Sequence, residues 1–148
     1  MNDAHDRFRF SCLTSDIDRD RVHQWLSEES YWAKGRARSV QEAAIDGSRN
    51  YGLFDTVDRE QVAYARIVTD GTTFAWLCDV FVAQDRRGQG LGKLLIAGVV
   101  SDLTPLGISR ILLATRDAHG LYAQNGFTAL PDPSIWMVRA AAVPGPAA

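Results

Sequence analysis

Residues 79–93 read DVFVAQDRRGQGLGK, and no other stretch narrows the possible folds of this chain as far. A strand pattern ends near Val82, the chain bends, and glycines at 88, 90 and 92 lead straight into an apolar helix. Glycine lets backbone amides come close to a ligand, and a helix N-terminus offers unpaired N–H groups with a favourable dipole. Such a unit suits phosphate, and Arg86, Arg87 and Lys93 add positive charge to it. Three glycines in five residues are a poor helix start on propensity alone, so a merely structural turn does not account for them.

Two common phosphate loops fail on particular residues. A Walker loop needs Ser or Thr after Gly-Lys, whereas Leu94 follows Gly92-Lys93 and leaves no magnesium ligand. A dinucleotide fingerprint needs a third glycine where Lys93 stands, and belongs after an early strand of a βαβ unit.

Around the loop the hydrophobic period changes with position. Residues 7–13 alternate as a strand, residues 17–29 place Val22, Trp25 and Leu26 on one helical face, and Ser39 with Glu42 reads as a capping box for a helix to Asp46. Strands are then expected at 51–54, 61–68 and 73–82, joined by hairpin turns, with a helix over 90–103 after the loop. A buried strand at 110–115, a short helix at 118–124 and a hairpin of 127–130 with 135–139 complete the pattern. This order predicts a mixed-sheet α/β (α+β) domain over residues 1–140, followed by a small-residue, proline-rich tail, 141–148, expected to be disordered.

Composition fits one globular unit: 148 residues, 46% hydrophobic and 23% charged. A net charge of -2 argues against nucleic acid or an anionic membrane as partner. The N-terminus lacks a signal-peptide core, and the longest apolar run, 94–100, is broken by Gly98, so a cytoplasmic protein is expected. Cys12 and Cys78 each sit in a strand-like run without a second ligand at metal spacing, which predicts two buried, reduced thiols and no metal site.

Arg87-Gly88-Gln89-Gly90-Leu91-Gly92 resembles the Arg-x-x-Gly-x-Gly/Ala signature of the GNAT N-acetyltransferases, and Leu121-Tyr122-Ala123-Gln124-Asn125-Gly126-Phe127 resembles their Leu-Tyr-x-x-x-Gly-Phe segment. The order of elements is similar over residues 7–139. The resemblance implies a mostly antiparallel central sheet flanked by about four helices, and acetyl-CoA as co-substrate. It implies that backbone N–H groups of Val80, Phe81 and Val82 hold the pantetheine and that Arg87, Gly88, Gln89, Gly90, Leu91 and Gly92, with Lys93, hold the pyrophosphate. Tyr122 would then protonate the departing thiolate, and Asp79 would serve as base or acceptor ligand. Thr115 stands where many relatives carry an Asn that contacts the pantetheine arm.

His119, three residues before Tyr122, reads as an accessory acid/base or a surface cap, while Cys78 lacks a neighbouring base that would make it a nucleophile. Glu28, Tyr31 and Trp32 suit a cationic or aromatic amine, and the two aromatic residues serve equally well as core plugs. The implied function is acetyl transfer to a primary amine of a small molecule, or of a peptide or protein, by direct attack in a ternary complex. A non-catalytic CoA-binding regulatory module is the alternative. The resemblance also implies a possible homodimer through the terminal strands.

Overall fold

The computed structural model describes residues 6–141. Strand β1 (Phe8–Ser11) pairs antiparallel with β2 (Arg49–Asp55), and β3 (Glu60–Thr69) and β4 (Ala75–Val82) continue the antiparallel meander. A short β5 (Ile111–Leu112) joins parallel to β4, so the sheet runs β1-β2-β3-β4-β5. Asp70 shapes the β3–β4 turn by accepting hydrogen bonds from the N–H groups of Thr72 and Thr73 and from the Thr73 hydroxyl. The sheet is mixed and mostly antiparallel, as expected.

Helices cover both faces. Helix α1 (Arg19–Gln24) starts where the Asp18 side chain accepts from Arg21 N–H, and it runs on into a π-helical turn, Trp25–Glu29. With α2 (Arg38–Asp46) it buries Val22, Trp25, Leu26 and Ile45 against Tyr64 and Phe81. On the opposite face α3 (Leu91–Leu103) packs Leu95, Ile96 and Val99 on Leu53, Ala65 and Ile67. Alternation along β3 separates the two layers, because Tyr64 points one way and its neighbours Ala63 and Ala65 the other. Helix α4 (His119–Ala123) rests beside α3, where a Cβ on Gly92 would come within 3.3 Å of Leu121.

Strand β4 is interrupted. Phe81 faces Tyr64 and Cys78 faces Arg66, so Asp79 and Val80 together oppose Ala65 in a β-bulge. Asp79 takes a φ of 53°, a left-handed conformation that few non-glycine residues adopt. On its other edge β4 pairs with β5 at Ala75 and Trp76; beyond them that edge has no ladder partner among the described residues.

Several expectations need correction. Ala37, not Ser39, occupies the N-cap of α2 without a side-chain cap, and Glu42 pairs with Arg38 and Arg19 instead of closing a capping box. The strand expected at 110–115 is reduced to β5. The hairpin of 127–130 with 135–139 is not formed: Pro131 and Pro133 remove two donors, a 3-10 turn occupies Pro133–Ile135, and Ile135, Met137 and Val138 lie exposed. Cys12 is exposed and Cys78 is half-buried, so neither is a core thiol. From residue 142 onward the tail lies outside the described residues.

Candidate active site

Two clefts meet along the bulged half of β4. The larger, about 690 Å³, runs between β4 from Trp76 to Val82, the chain following β5, and the segment that leaves the π-helical turn. The smaller, about 560 Å³, lies over the glycine loop and is lined by Gly88, Gly90, Leu91, Gly92 and Lys93. Val80, Val82, Arg87, Ala118 and Tyr122 border both, so the two spaces share a wall.

The loop is built by backbone conformation. Gly88 and Gly90 have φ values of 83° and 76°, and a Cβ at either would meet nothing within 4 Å. Glycine is therefore required by the left-handed turn itself, with open space above it for a ligand. Gly90 is the N-cap of α3, which directs the unpaired N–H groups of the first turn toward that space. Arg87 folds over the loop's mouth, donating from Nε to Val82 O at 3.1 Å with its guanidinium 5.2 Å from the Phe81 ring. Gln89 lines neither cleft.

Arg86 borders the smaller cleft, but its charge is engaged by carboxylates, contrary to expectation. It donates to Asp55, Asp58 and Glu60 in a network that Arg7 completes, and only 11% of its side chain is exposed. Phe81 stacks on Trp25 at 5.5 Å in the core, and its backbone pairs with Tyr64 of β3, so it does not offer the N–H group expected of it.

Tyr122 stands where the clefts join. It is 8% exposed, its ring meets Phe127 edge-on at 5.9 Å, and its hydroxyl makes no hydrogen bond among the described residues. Burial pushes its pKa up to about 12, so the phenol stays protonated throughout the physiological range. Thr115 lines the larger cleft, away from the glycine loop, and its Oγ1 accepts from Ala118 N–H ahead of α4. His119 is exposed and lines neither cleft.

The bulge delivers Asp79 to an unexpected set of partners. Its carboxylate accepts from Trp32 Nε1 at 3.0 Å, from Arg36 Nη1 at 2.8 Å and Nη2 at 3.4 Å, and from Arg66 Nε at 3.0 Å. Burial would raise its pKa, but Arg36 and Arg66 outweigh burial and hold the carboxyl below its usual range. A carboxylate saturated in this way is an anchor and a poor proton acceptor. Cys78, half-buried on the same wall, has its thiol pushed up to about 11 by burial, which makes it a poor nucleophile.

Tyr31 and Trp32 are 48% and 42% exposed, so they are not core plugs. They form a T-shaped pair at 4.9 Å over the larger cleft, with the Arg116 guanidinium 4.7 Å from the Tyr31 ring. Glu28 does not line the cleft, whereas its neighbour Glu29 does. Sequence reading also missed Arg36 and Arg66. Arg66 carried a signal, being the one charged residue inside the apolar run of β3.

A bulged strand parted from its parallel neighbour is followed by a glycine loop capping a helix, an arrangement whose amides suit an extended phosphate-bearing ligand. The chain belongs to the acetyltransferase (GNAT) family, which it matches over residues 19–127. A GNAT-family protein of known structure from Xanthomonas campestris pv. campestris is 40% identical and has a TM-score of 0.85, over 95% of this chain and 96% of that one. A probable acetyltransferase from Staphylococcus aureus shares the fold at 18% identity and a TM-score of 0.67, over 90% of this chain and 99% of its own.

An uncharacterised N-acetyltransferase of Pyropia yezoensis is 32% identical over 72% of this chain and 63% of its own length. Serotonin N-acetyltransferase 2 of Oryza sativa subsp. japonica is 39% identical over 48% of this chain and 36% of its own. The chain thus spans between 36% and 63% of the length of the curated relatives it matches.

Proposed function

We propose that this protein transfers the acetyl group of acetyl-CoA to the primary amine of a small molecule, by direct attack in a ternary complex. The supporting observation is the pair of clefts that share Val80 and Tyr122, since each substrate can enter by its own mouth and meet the other at that wall. In this reading the amides of the glycine loop and the first turn of α3 bind the pyrophosphate, with Arg87 and Lys93 beside them. The edge of β4 at Val80 and Val82, which has no strand partner among the described residues, binds the pantetheine arm and presents N–H groups toward the thioester carbonyl. A cleft of about 690 Å³ lies within the usual range for small-molecule sites.

Tyr122 donates a proton to the departing thiolate. A phenol with a pKa of about 12 is a weak acid, but the thiolate is released into the same environment that raises Cys78 to about 11. Burial raises the phenol and a thiolate in the same direction, so the two stay matched for the transfer. The amine proton leaves toward Glu29, which lines the cleft and forms no ion pair with a described residue. Asp79 holds the bulge.

Titration calorimetry with acetyl-CoA tests this reading. Saturable binding is expected for the wild type and not for Gly90→Glu, where the new side chain strains the left-handed turn and fills the loop's mouth. Tyr122→Phe should bind acetyl-CoA normally and lose about a hundredfold or more in turnover. A folded wild type that does not bind acetyl-CoA refutes the proposal.

A further inference from the structure

We propose that the acceptor amine carries an oxyanion, a carboxylate or a phosphate, which docks on Arg66 and Arg36 in the larger cleft. The inference rests on reading that cleft as the acceptor site.

Charge distribution carries it. The two guanidinium groups share one carboxylate, Asp79, whose side chain is 1% exposed, so the cluster has one positive charge in excess. Arg36 and Arg66 are themselves only 19% and 14% exposed, and both line the cleft. Their other partners, Gln41 and Ser48, are neutral. Arg66 spends Nε on Asp79 and Nη1 on Ser48, while Nη2 has no acceptor among the described residues. Arg66 Nη2 is therefore free to donate to a ligand in the cleft that Arg66 lines, and a guanidinium edge matches the planar spacing of an oxyanion.

The remaining carboxylates of the cleft are placed differently. Glu29 and Asp117 are both exposed at its rim, and neither forms an ion pair with a described residue. The rim is mixed, since Arg87 and Arg116 line it beside Glu29 and Asp117, whereas the depth is net positive, which suits an acceptor that carries an oxyanion. A polyamine would set its second ammonium against the arginines and be repelled.

Matched acceptors test the proposal. CoA release is measured with amino acids against their amides, with amino-sugar phosphates against the unphosphorylated sugars, and with polyamines. The expected result is a kcat/KM at least about tenfold higher for the oxyanion-bearing member of one pair; which pair responds distinguishes carboxylate from phosphate. Arg66→Lys retains a charge beside Asp79 but loses the fork. It should raise KM for that acceptor about tenfold with kcat nearly unchanged and acetyl-CoA affinity intact. Preference for polyamines or uncharged amines, or unchanged discrimination in a folded Arg66→Lys variant, overturns the proposal.

A second readout does not depend on turnover. With CoA present to occupy the glycine loop, the Trp32 indole N–H resonance is followed as glutarate, inorganic phosphate or ethylamine is added. A saturable shift with glutarate or phosphate, weakened in Arg66→Lys and absent with ethylamine, is expected. No shift with either anion overturns the proposal whatever the kinetics. An intact anion response in a protein that neither binds nor turns over acetyl-CoA overturns the acetyltransferase reading alone.

Discussion

Replacing Asp79 by asparagine separates its two candidate roles, anchor and base. Asparagine tolerates the left-handed φ of 53° and keeps an oxygen for Trp32 Nε1, so the bulge retains its backbone and one of its hydrogen bonds. The negative charge between Arg36 and Arg66 is lost. Removing one partner of a buried ion pair costs about 3–5 kcal/mol. The lower end applies here, because the arginines remain 19% and 14% exposed and can recruit water.

A loss of about 3 kcal/mol corresponds to a fall in Tm of roughly 6–12 °C for a domain of this size. Asp79→Ala should cost about 1 kcal/mol more, because alanine is strained at that φ. Urea denaturation followed by tryptophan fluorescence, with a calorimetric melt, measures both variants. A loss below about 1 kcal/mol for Asp79→Asn would refute the anchor argument. An unchanged Tm with abolished kcat would identify Asp79 as the base after all.

Three further outcomes are expected. Arg86→Ala should lower Tm, by opening the network around Asp55, and should weaken acetyl-CoA binding less than Arg87→Ala, which should leave Tm unchanged; calorimetry and melts read both. Asp55, Asp70 and Asp79 have folded pKa values below their ordinary 3.8, so their stabilising contribution is complete above about pH 5 and drains away as pH falls through those lowered values. The urea midpoint should therefore be flat from pH 6 to 8 and drop below about pH 4. Gly98→Ala would drive a Cβ into the Phe10 ring, which stacks on Tyr51, and should cost about 1–3 kcal/mol despite the better helix propensity of alanine; a urea titration checks it.

The fold was largely legible because its signals are local. The alternation in β2, β3 and β4, the Asp70-Gly71 turn and the glycines before α3 each act within a few residues, and the order of elements follows from them. The bulge was not legible. No glycine or proline marks it, and the left-handed Asp79 is held by Arg66 and Arg36, which stand 13 and 43 residues away. Glu28 and Glu29 could not be ranked from the chain alone, because a π-helical turn shifts which residue faces the cleft and has no marker in WLSEE. The terminal hairpin failed for the opposite reason: residues 135–139 carry strand-forming side chains, but the prolines at 131 and 133 remove donors just ahead of them.

The half-burial of Cys78 has a chemical consequence. A thiol and a thioester held in one cleft can exchange acyl groups, which would trap the enzyme in a covalent side product at each slip. Only the ionised thiol reacts, and at pH 7 a group with a pKa of about 11 is ionised in about one molecule in ten thousand. With a thioester bound as proposed, the burial of Cys78 would protect the protein from acylating itself, and that protection would weaken as the medium becomes alkaline.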